Sequence, residues 1–321
     1  MRALSVFSGG LDSILAAQII RNQGIDVLAV FFETPFFTPE KAKKSAHNIN
    51  LPFKSIEITK QHMEIVRNPP SGYGGNMNPC IDCHALMFKI AGELMEQEQA
   101  SFIITGEVLG QRPMSQNYNS LRRVSRLSGI PDFILRPLSA KLLPKTIPEI
   151  EGWVNRDLLF GFQGRSRKPQ MNLAREMNIT DYPSPAGGCL LTEVVFSRRL
   201  KDLLNSGMEL SDNHIKLLKT GRHFRISPTV KIVVGRNQSE NELIAELKAT
   251  HDLILAAADF PGPTVLLSGI FNDEDIKTAA MITASYSNTH GVSYCNIKIS
   301  NGSNYNTEII NSKNEFCNML I

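Results

Sequence analysis

The run Val6-Phe7-Ser8-Gly9-Gly10-Leu11-Asp12-Ser13 constrains this chain more than any other stretch. An apolar strand from Ala3 to Phe7 enters a glycine-rich turn. The turn opens a helix whose apolar face carries Leu11, Ile14, Leu15 and Ile19. Glycines without Cβ atoms let backbone N–H groups close around an anion, and a helix N-terminus adds favourable partial charge. Ser8 and Ser13 bring hydroxyls to the same turn, and Asp12 is placed to act through a bound metal ion. The pattern reads as a turn built to hold phosphate; the plain alternative is an ordinary strand–turn–helix junction. No Gly-Lys-Ser/Thr follows, which disfavours transfer of a γ-phosphate.

Strand-like runs at 4–7, 27–32, 53–58, 102–105 and 133–135 alternate with helical stretches. That order predicts an α/β domain with a parallel sheet covered on both faces and a ligand crevice beyond the strand C-terminal ends. The phosphate turn, residues 31–34 and residues 105–111 all follow strands and are expected to converge there. Residues 69–76 are too rich in Gly and Pro to be regular, and a helix bearing Leu86, Ile90, Leu94 and Met95 on one side follows. A smaller α+β domain is expected beyond a junction at 221–228. Its pattern is a strand at 230–234, a helix at 240–247, short strands at 253–257 and 264–267, a helix at 273–285 and a closing strand at 292–299. The polar tail from Ser300 is expected to be poorly ordered. The division expected is 1–160, a mostly helical cysteine-bearing extension at 161–222, and 223–321.

Composition narrows the class. The 321 residues are 42% hydrophobic and 20% charged, which suits a soluble globular protein of two or three domains. A net charge of +3 does not by itself demand nucleic acid. No apolar run approaches about 18 residues, so no membrane segment is expected, and a start directly on a strand argues against a cleaved signal peptide. Cys80, Cys83, Cys189, Cys295 and Cys317 are odd in number, which points to a reducing cytoplasm rather than a disulfide framework. The sequence leaves room for a homodimer.

Asn78-Pro79-Cys80-Ile81-Asp82-Cys83 places a Cys-x-x-Cys pair at a loop-to-helix transition, and Cys189 ends the Gly/Pro-rich run Pro183-Ser184-Pro185-Ala186-Gly187-Gly188. Two thiolates at this spacing reach one metal centre or form a redox dithiol. With Cys189 they suit three ligands of a 4Fe–4S cluster with the fourth iron open, or a zinc site completed by His84. The plain alternative is an incidental dithiol with Cys189 as a small buried apolar residue.

The Ser-Gly-Gly-x-Asp-Ser run resembles the PP-loop of the ATP pyrophosphatase family, a HUP-type, adenine nucleotide alpha hydrolase-like fold. Asn-Pro-Cys-x-x-Cys with Ser-Pro-Ala-Gly-Gly-Cys-Leu-Leu-Thr looks like the cysteine segments of MnmA-type tRNA 2-thiouridine synthases. Thr105-Gly106-Glu107-Val108-Leu109-Gly110-Gln111, Met114-Ser115-Gln116 and Arg136-Pro137-Leu138 are similar to segments of tRNA 4-thiouridine synthetases. The resemblance covers about residues 1–200. It implies a tRNA sulfurtransferase that adenylates uridine O4 or O2 and replaces that oxygen with sulfur. It further implies that Ser8, Gly9, Gly10, Asp12 and Ser13 hold the pyrophosphate portion of ATP with Mg²⁺. Phe31 or Phe32 would border the adenine, and Thr105, Gly106 and Gln111 would line the opposite wall. Lys141 or Lys145 would stabilise charge at the α-phosphate. Cys80, Cys83 and Cys189 would carry the sulfur chemistry through a 4Fe–4S cluster, with zinc as the alternative. The donor would be free sulfide or a cysteine desulfurase relay.

Neither a rhodanese domain nor an N-terminal THUMP region is evident, so RNA docking is expected to use other parts. Val230-Lys231-Ile232-Val233-Val234-Gly235-Arg236-Asn237, Asn241 and Gly262-Pro263 resemble the RNA-binding module of NFACT proteins. Arg222, His223, Arg225, Lys231 and Arg236 are the cations expected to face RNA phosphate. Two other functions fit parts of the pattern: an amide-forming PP-loop ligase, and an RNA-binding protein with a regulatory ATP site. Intact Ser8, Asp12 and Ser13 weigh against the second.

Overall fold

A computed structural model describes residues 1–184, 188–207, 211–289, 291–309 and 313–321. The chain forms two compact units, Met1–Thr192 and Glu193–Ile321, so the segment 161–222 is shared between them. Of the Cys189 segment, Pro185, Ala186 and Gly187 lie outside the described residues.

The first unit alternates strand and helix. Its elements are β1 (Arg2–Val6), α1 (Leu11–Arg21), β2 (Asp26–Glu33), α2 (Glu40–Asn48), β3 (Phe53–Glu57), α3 (Thr59–Arg67), α4 (Cys80–Gln97) and β4 (Phe102–Thr105). α5 (Tyr118–Leu127), β5 (Ile134–Leu135), α6 (Ile147–Ile150) and α7 (Lys168–Glu176) follow. All strand pairs are parallel, in the order β3-β2-β1-β4-β5, as the apolar runs predict. Alternate side chains of β1 feed separate cores: Ala3 packs with α1 and α7 residues such as Ile14 and Leu173, Leu4 with Phe88 and Val124. Strand order reverses between β1 and β4, and ligands of open α/β sheets bind at such a switch point. The phosphate turn and the 106–111 loop both leave the sheet at this place.

The second unit contains α8 (Val194–Asn205), α9 (Asp212–Leu218), β6 (Arg222–Ser227), β7 (Val230–Val234), α10 (Gln238–Glu246), β8 (Leu253–Ala257), β9 (Val265–Gly269), α11 (Asp273–Tyr286), β10 (Tyr294–Ile299) and β11 (Asn304–Glu308). The six strands are antiparallel in the order β11-β10-β8-β9-β7-β6, with α11 packed on one face. The tail differs from expectation. β11 pairs with β10, burying Thr307, and Phe316 reaches the core beside Phe224. Backbone pairing to an existing strand gives this polar segment its structure, and such pairing leaves little apolar pattern in sequence.

Candidate active site

The phosphate turn is shaped by two close approaches. Gly9 has φ 75°, and a Cβ there would lie 2.6 Å from Ala42 Cα, so only glycine folds back against α2. Ile14 N and Ser13 Oγ both donate to Gly10 O, at 3.1 and 2.8 Å. Ser8 Oγ lies 3.4 Å from Gly10 N and from Ser13 Oγ. No side chain caps α1, which leaves N–H groups of its first turn available to an anion.

Opposite the turn, β4 ends at Thr105. A Cβ on Gly106 would stand 2.5 Å from Asp12 C and Ser13 N, so glycine again permits the contact. The loop beyond is pinned by Gly110 N to Gln116 O (2.7 Å) and Leu109 N to Ser139 Oγ (2.9 Å). It delivers Gln111, whose Nε2 donates to Asp12 Oδ2 at 2.7 Å. Gln170 of α7, fully buried, donates from Nε2 to Gln111 Oε1 at 3.0 Å. Asp12 Oδ1 and Gln170 Oε1 are buried without a hydrogen-bond partner among the described residues. Burial pushes the Asp12 carboxyl above its usual range, against the Gln111 hydrogen bond, the charges of Arg167 and Arg112, and a weaker hydrogen-bonding influence of Gln170. A bare buried oxygen on a carboxylate beside a phosphate-type turn suits Mg²⁺ in its donor chemistry.

The remaining residues expected around ATP divide. Thr105, Gly106 and Gln111 stand at the crevice. Phe31 and Phe32 are both buried and pack into the cores on opposite faces of the sheet. Lys141 and Lys145 are exposed, and Lys141 Nζ donates to Asp157 O at 2.9 Å. The cations whose charges reach Asp12 are instead Arg167 and Arg112.

The thiols of Cys80, Cys83 and Cys189 come within electrostatic reach of one another. Cys83 is raised well above its usual pKa by burial first, then by Cys189, Cys80 and Asp82. Burial also raises Cys189, while the charge of Arg112 works in the opposite direction. Asp82, buried in the first turn of α4, accepts from Ser71 N (2.8 Å) and Ser71 Oγ (2.6 Å), which ties down the Gly/Pro loop. Asn78 Nδ2 donates to Cys80 Sγ at 3.3 Å. Among the described residues no group of three or more His, Cys, Asp or Glu side chains stands at metal-holding spacing. Soft thiolates suit an iron–sulfur or zinc centre by donor type, and closing one needs a rearrangement of these side chains.

His84 does not face the thiols; its Nδ1 lies 2.8 Å from Glu107 Oε1. The histidine at the thiols is His62 of α3, with Nε2 3.3 Å from Cys83 Sγ. Burial between Phe36 and Phe37 lowers its pKa to about 4, so it is neutral. Its distance from the cysteines in sequence gave no spacing signal. Glu107 also binds Arg136, with Nε at 3.0 Å and Nη2 at 2.9 Å. This buried cluster fastens the start of α4 to the ends of β4 and β5.

In the second unit most of the expected RNA-facing cations are engaged internally. Arg225 grips Asp202 with Nε at 2.9 Å and Nη2 at 2.7 Å, and buried Lys231 donates to the same carboxylate at 3.0 Å. His223 is buried, with Nε2 at 3.0 Å from Leu217 O and 2.8 Å from Thr220 O. Arg222 covers the Tyr286 ring, and exposed Arg236 forks onto Glu240. Alternation on β6 and β7 did not announce that a helix carboxylate would draw Arg225 and Lys231 inward.

A parallel sheet with a glycine-rich, phosphate-type turn at its switch point, followed by an antiparallel-sheet unit, defines an α/β protein with a separate C-terminal module. Residues 1–142 match the family model described as thiamine biosynthesis protein (ThiI), and residues 221–316 match the NFACT protein RNA binding domain. Among curated proteins, a probable tRNA sulfurtransferase of Oceanobacillus iheyensis is 32% identical over 146 residues, covering 43% of this chain and 34% of that protein. One from Bacillus pumilus is 32% identical over 148 residues, covering 43% and 35%. The chain thus spans about a third of the length of these relatives. A solved structure, a predicted subunit of tRNA methyltransferase from Methanocaldococcus jannaschii, aligns at 18% identity and TM-score 0.37 over 55% of this chain and 75% of that one.

Proposed function

We propose that this protein is an ATP-dependent tRNA uridine thiolase whose first unit performs adenylation and sulfur transfer and whose second unit contacts RNA. The observation that carries the reading is the start of the 106–111 loop: Gly106 packs on Asp12 and Ser13 of the phosphate turn, and Glu107 beside it holds His84, the neighbour of Cys83. This loop links the nucleotide crevice to the cysteine-bearing end of α4 and supports reading them as one reaction space. An amide-forming ligase would need no such cysteines.

The chemistry follows from the residues. Residues 8–13 hold the pyrophosphate portion of ATP on backbone N–H groups and hydroxyls, with Mg²⁺ on Asp12. Arg112 and Arg167 offset the negative charge that grows as a uracil oxygen attacks the α-phosphorus and pyrophosphate leaves. A sulfur nucleophile then forms a bond to the activated ring carbon, the carbon–oxygen bond breaks, and AMP departs with that oxygen. Cys80, Cys83 and Cys189 would hold a 4Fe–4S cluster, which when bound supplies an open iron for sulfide. Neutral His62 keeps an uncharged, water-poor wall behind Cys83. Free sulfide or a cysteine desulfurase relay is the donor, and the cytoplasm is the compartment these thiols suit.

Anaerobic protein given ATP, Mg²⁺, sulfide and tRNA should release AMP and pyrophosphate and form thiouridine, read by nucleoside mass spectrometry. ADP and phosphate as products would overturn the reading. Stoichiometric zinc without iron after anaerobic reconstitution would remove the cluster and leave the thiolase to be judged by the nucleoside result.

A further inference from the structure

The nucleotide crevice contains two amides that the phosphate turn alone does not explain. Gln170 is fully buried, an unusual place for a glutamine unless its amide is engaged. Its Nε2 donates to Gln111 Oε1 at 3.0 Å, and Gln111 Nε2 donates to Asp12 Oδ2 at 2.7 Å. The direction of the first bond fixes the second. With its oxygen occupied by Gln170, Gln111 must turn its NH₂ toward the carboxylate. The chain ends on two bare buried acceptors, Asp12 Oδ1 and Gln170 Oε1. Buried acceptors left open in a native site call for a missing donor or cation. Gln170 lies on α7, which packs against α1 and stands beyond the segment 1–142 that matches the thiamine biosynthesis protein (ThiI) family model.

We propose that Gln170 is a positioning residue of the nucleotide site: together with Gln111 it orients the Asp12 carboxylate so that Oδ1 faces the Mg²⁺ of bound Mg·ATP. The inference rests on the ATP-using reading above. It assigns to α7 a part in metal–nucleotide binding rather than in packing alone. α7 also begins next to Arg167, so one helix brings both the relay and a cation to the crevice.

Titration calorimetry of ATP with and without Mg²⁺ tests it on the full chain. In the wild-type protein Mg²⁺ should raise ATP affinity. Gln170→Met, close in length but with no polar atoms, should reduce that Mg²⁺-dependent gain about tenfold while leaving metal-free ATP affinity within about twofold. Gln111→Met, on the half-exposed loop, breaks the same relay from its middle and should also reduce the Mg²⁺-dependent gain, whatever it does to metal-free affinity; it serves if Gln170→Met fails to fold. In an Asp12→Asn background Gln170→Met should add nothing, because residues acting through one group are non-additive. A packing role predicts instead a lower Tm, an equal loss with and without Mg²⁺, and an additive effect beside Asp12→Asn; that outcome overturns the proposal. Pyrophosphate release by the wild-type protein is read separately. Its absence would count against the thiolase reading, whereas an unaltered Mg²⁺-dependent gain in Gln170→Met would count against the relay alone.

Discussion

Each unit buries one carboxylate between two basic side chains, and the two clusters serve different ends. In the first, Glu107 is 4% exposed and meets Arg136 and His84, joining two strand ends to the helix that starts at Cys80. In the second, the Asp202 side chain is 17% exposed and meets Arg225 and Lys231, joining α8 to the outer strands β6 and β7. The first cluster fixes α4, the helix that starts at Cys80 and carries Cys83, to the ends of β4 and β5. The second ties cations inward that the sequence offered for RNA. A shared charge pattern therefore predicts cohesion, and only its address in the fold says whether it also places chemistry.

Breaking the deeper cluster should have the largest effect. Arg136→Ala leaves Glu107 buried with His84 as its remaining partner, a loss of about 3–5 kcal/mol. Urea unfolding of the first unit reads it, and a change under about 1 kcal/mol would show that Arg136 is not the counter-charge. The acid limb sharpens the point. Burial works to raise Glu107, but the Arg136 charge and the His84 hydrogen bond outweigh it and hold its pKa below the usual 4.5. A carboxylate depressed on folding contributes stability that is complete above 4.5 and is lost as pH falls through the folded value. Arg136→Ala should flatten that acid loss.

Asp202→Ala comes next, at about 2 kcal/mol, because two cations lose their partner in a site water partly reaches. Lys231→Met should be close to neutral in stability, since an apolar side chain avoids the cost of burying an ammonium. If Lys231→Met weakens tRNA binding tenfold while the fold survives, Lys231 reaches phosphate and the contrast between the clusters fails.

The third test uses pH on the same residue. Burial lowers the Lys231 pKa from 10.5 to about 8, with Asp202 opposing. Between those values the unfolded chain holds the extra proton, so this group makes stability rise with pH across the window. By pH 10 the wild-type protein should gain about 2 kcal/mol relative to Lys231→Met. Parallel pH profiles of the two proteins would show instead that Lys231 titrates as an exposed lysine.

Much of the first unit was legible because its signals are local. A buried parallel sheet writes itself as apolar runs, as at 102–105, and the phosphate turn is contiguous in sequence. What was missed is contact between distant segments. Nothing near Cys83 names His62, and nothing near Asp12 names Gln170, because tertiary packing alone brings α3 and α7 to them. The lysines at 141 and 145 were favoured by type and neighbourhood, yet the 106–116 loop and the start of α7 carry Arg112 and Arg167 to Asp12. In the second unit Lys231 alternates like a surface residue, and its burial becomes visible only once Asp202 on α8 is set against β7.

The smallest effect should come from Arg236, the most exposed of the five cations first assigned to RNA, which pairs with Glu240 four residues on, in the first turn of α10. Exposed i,i+4 pairs contribute about 0.3–0.5 kcal/mol, so Arg236→Ala should hardly move the unfolding midpoint. Its effect belongs in RNA binding. If the Arg236 guanidinium leaves Glu240 for a phosphate, the variant should bind tRNA slightly less tightly and reduce the slope of log K against log salt by about 1. Filter binding over a salt series measures this. An unchanged slope would mean that Arg236, like Arg225 and Lys231, is committed to the protein. If the second unit contacts RNA as proposed, other exposed groups, such as Tyr294 and Lys298 on the outward side of β10, would then have to meet it.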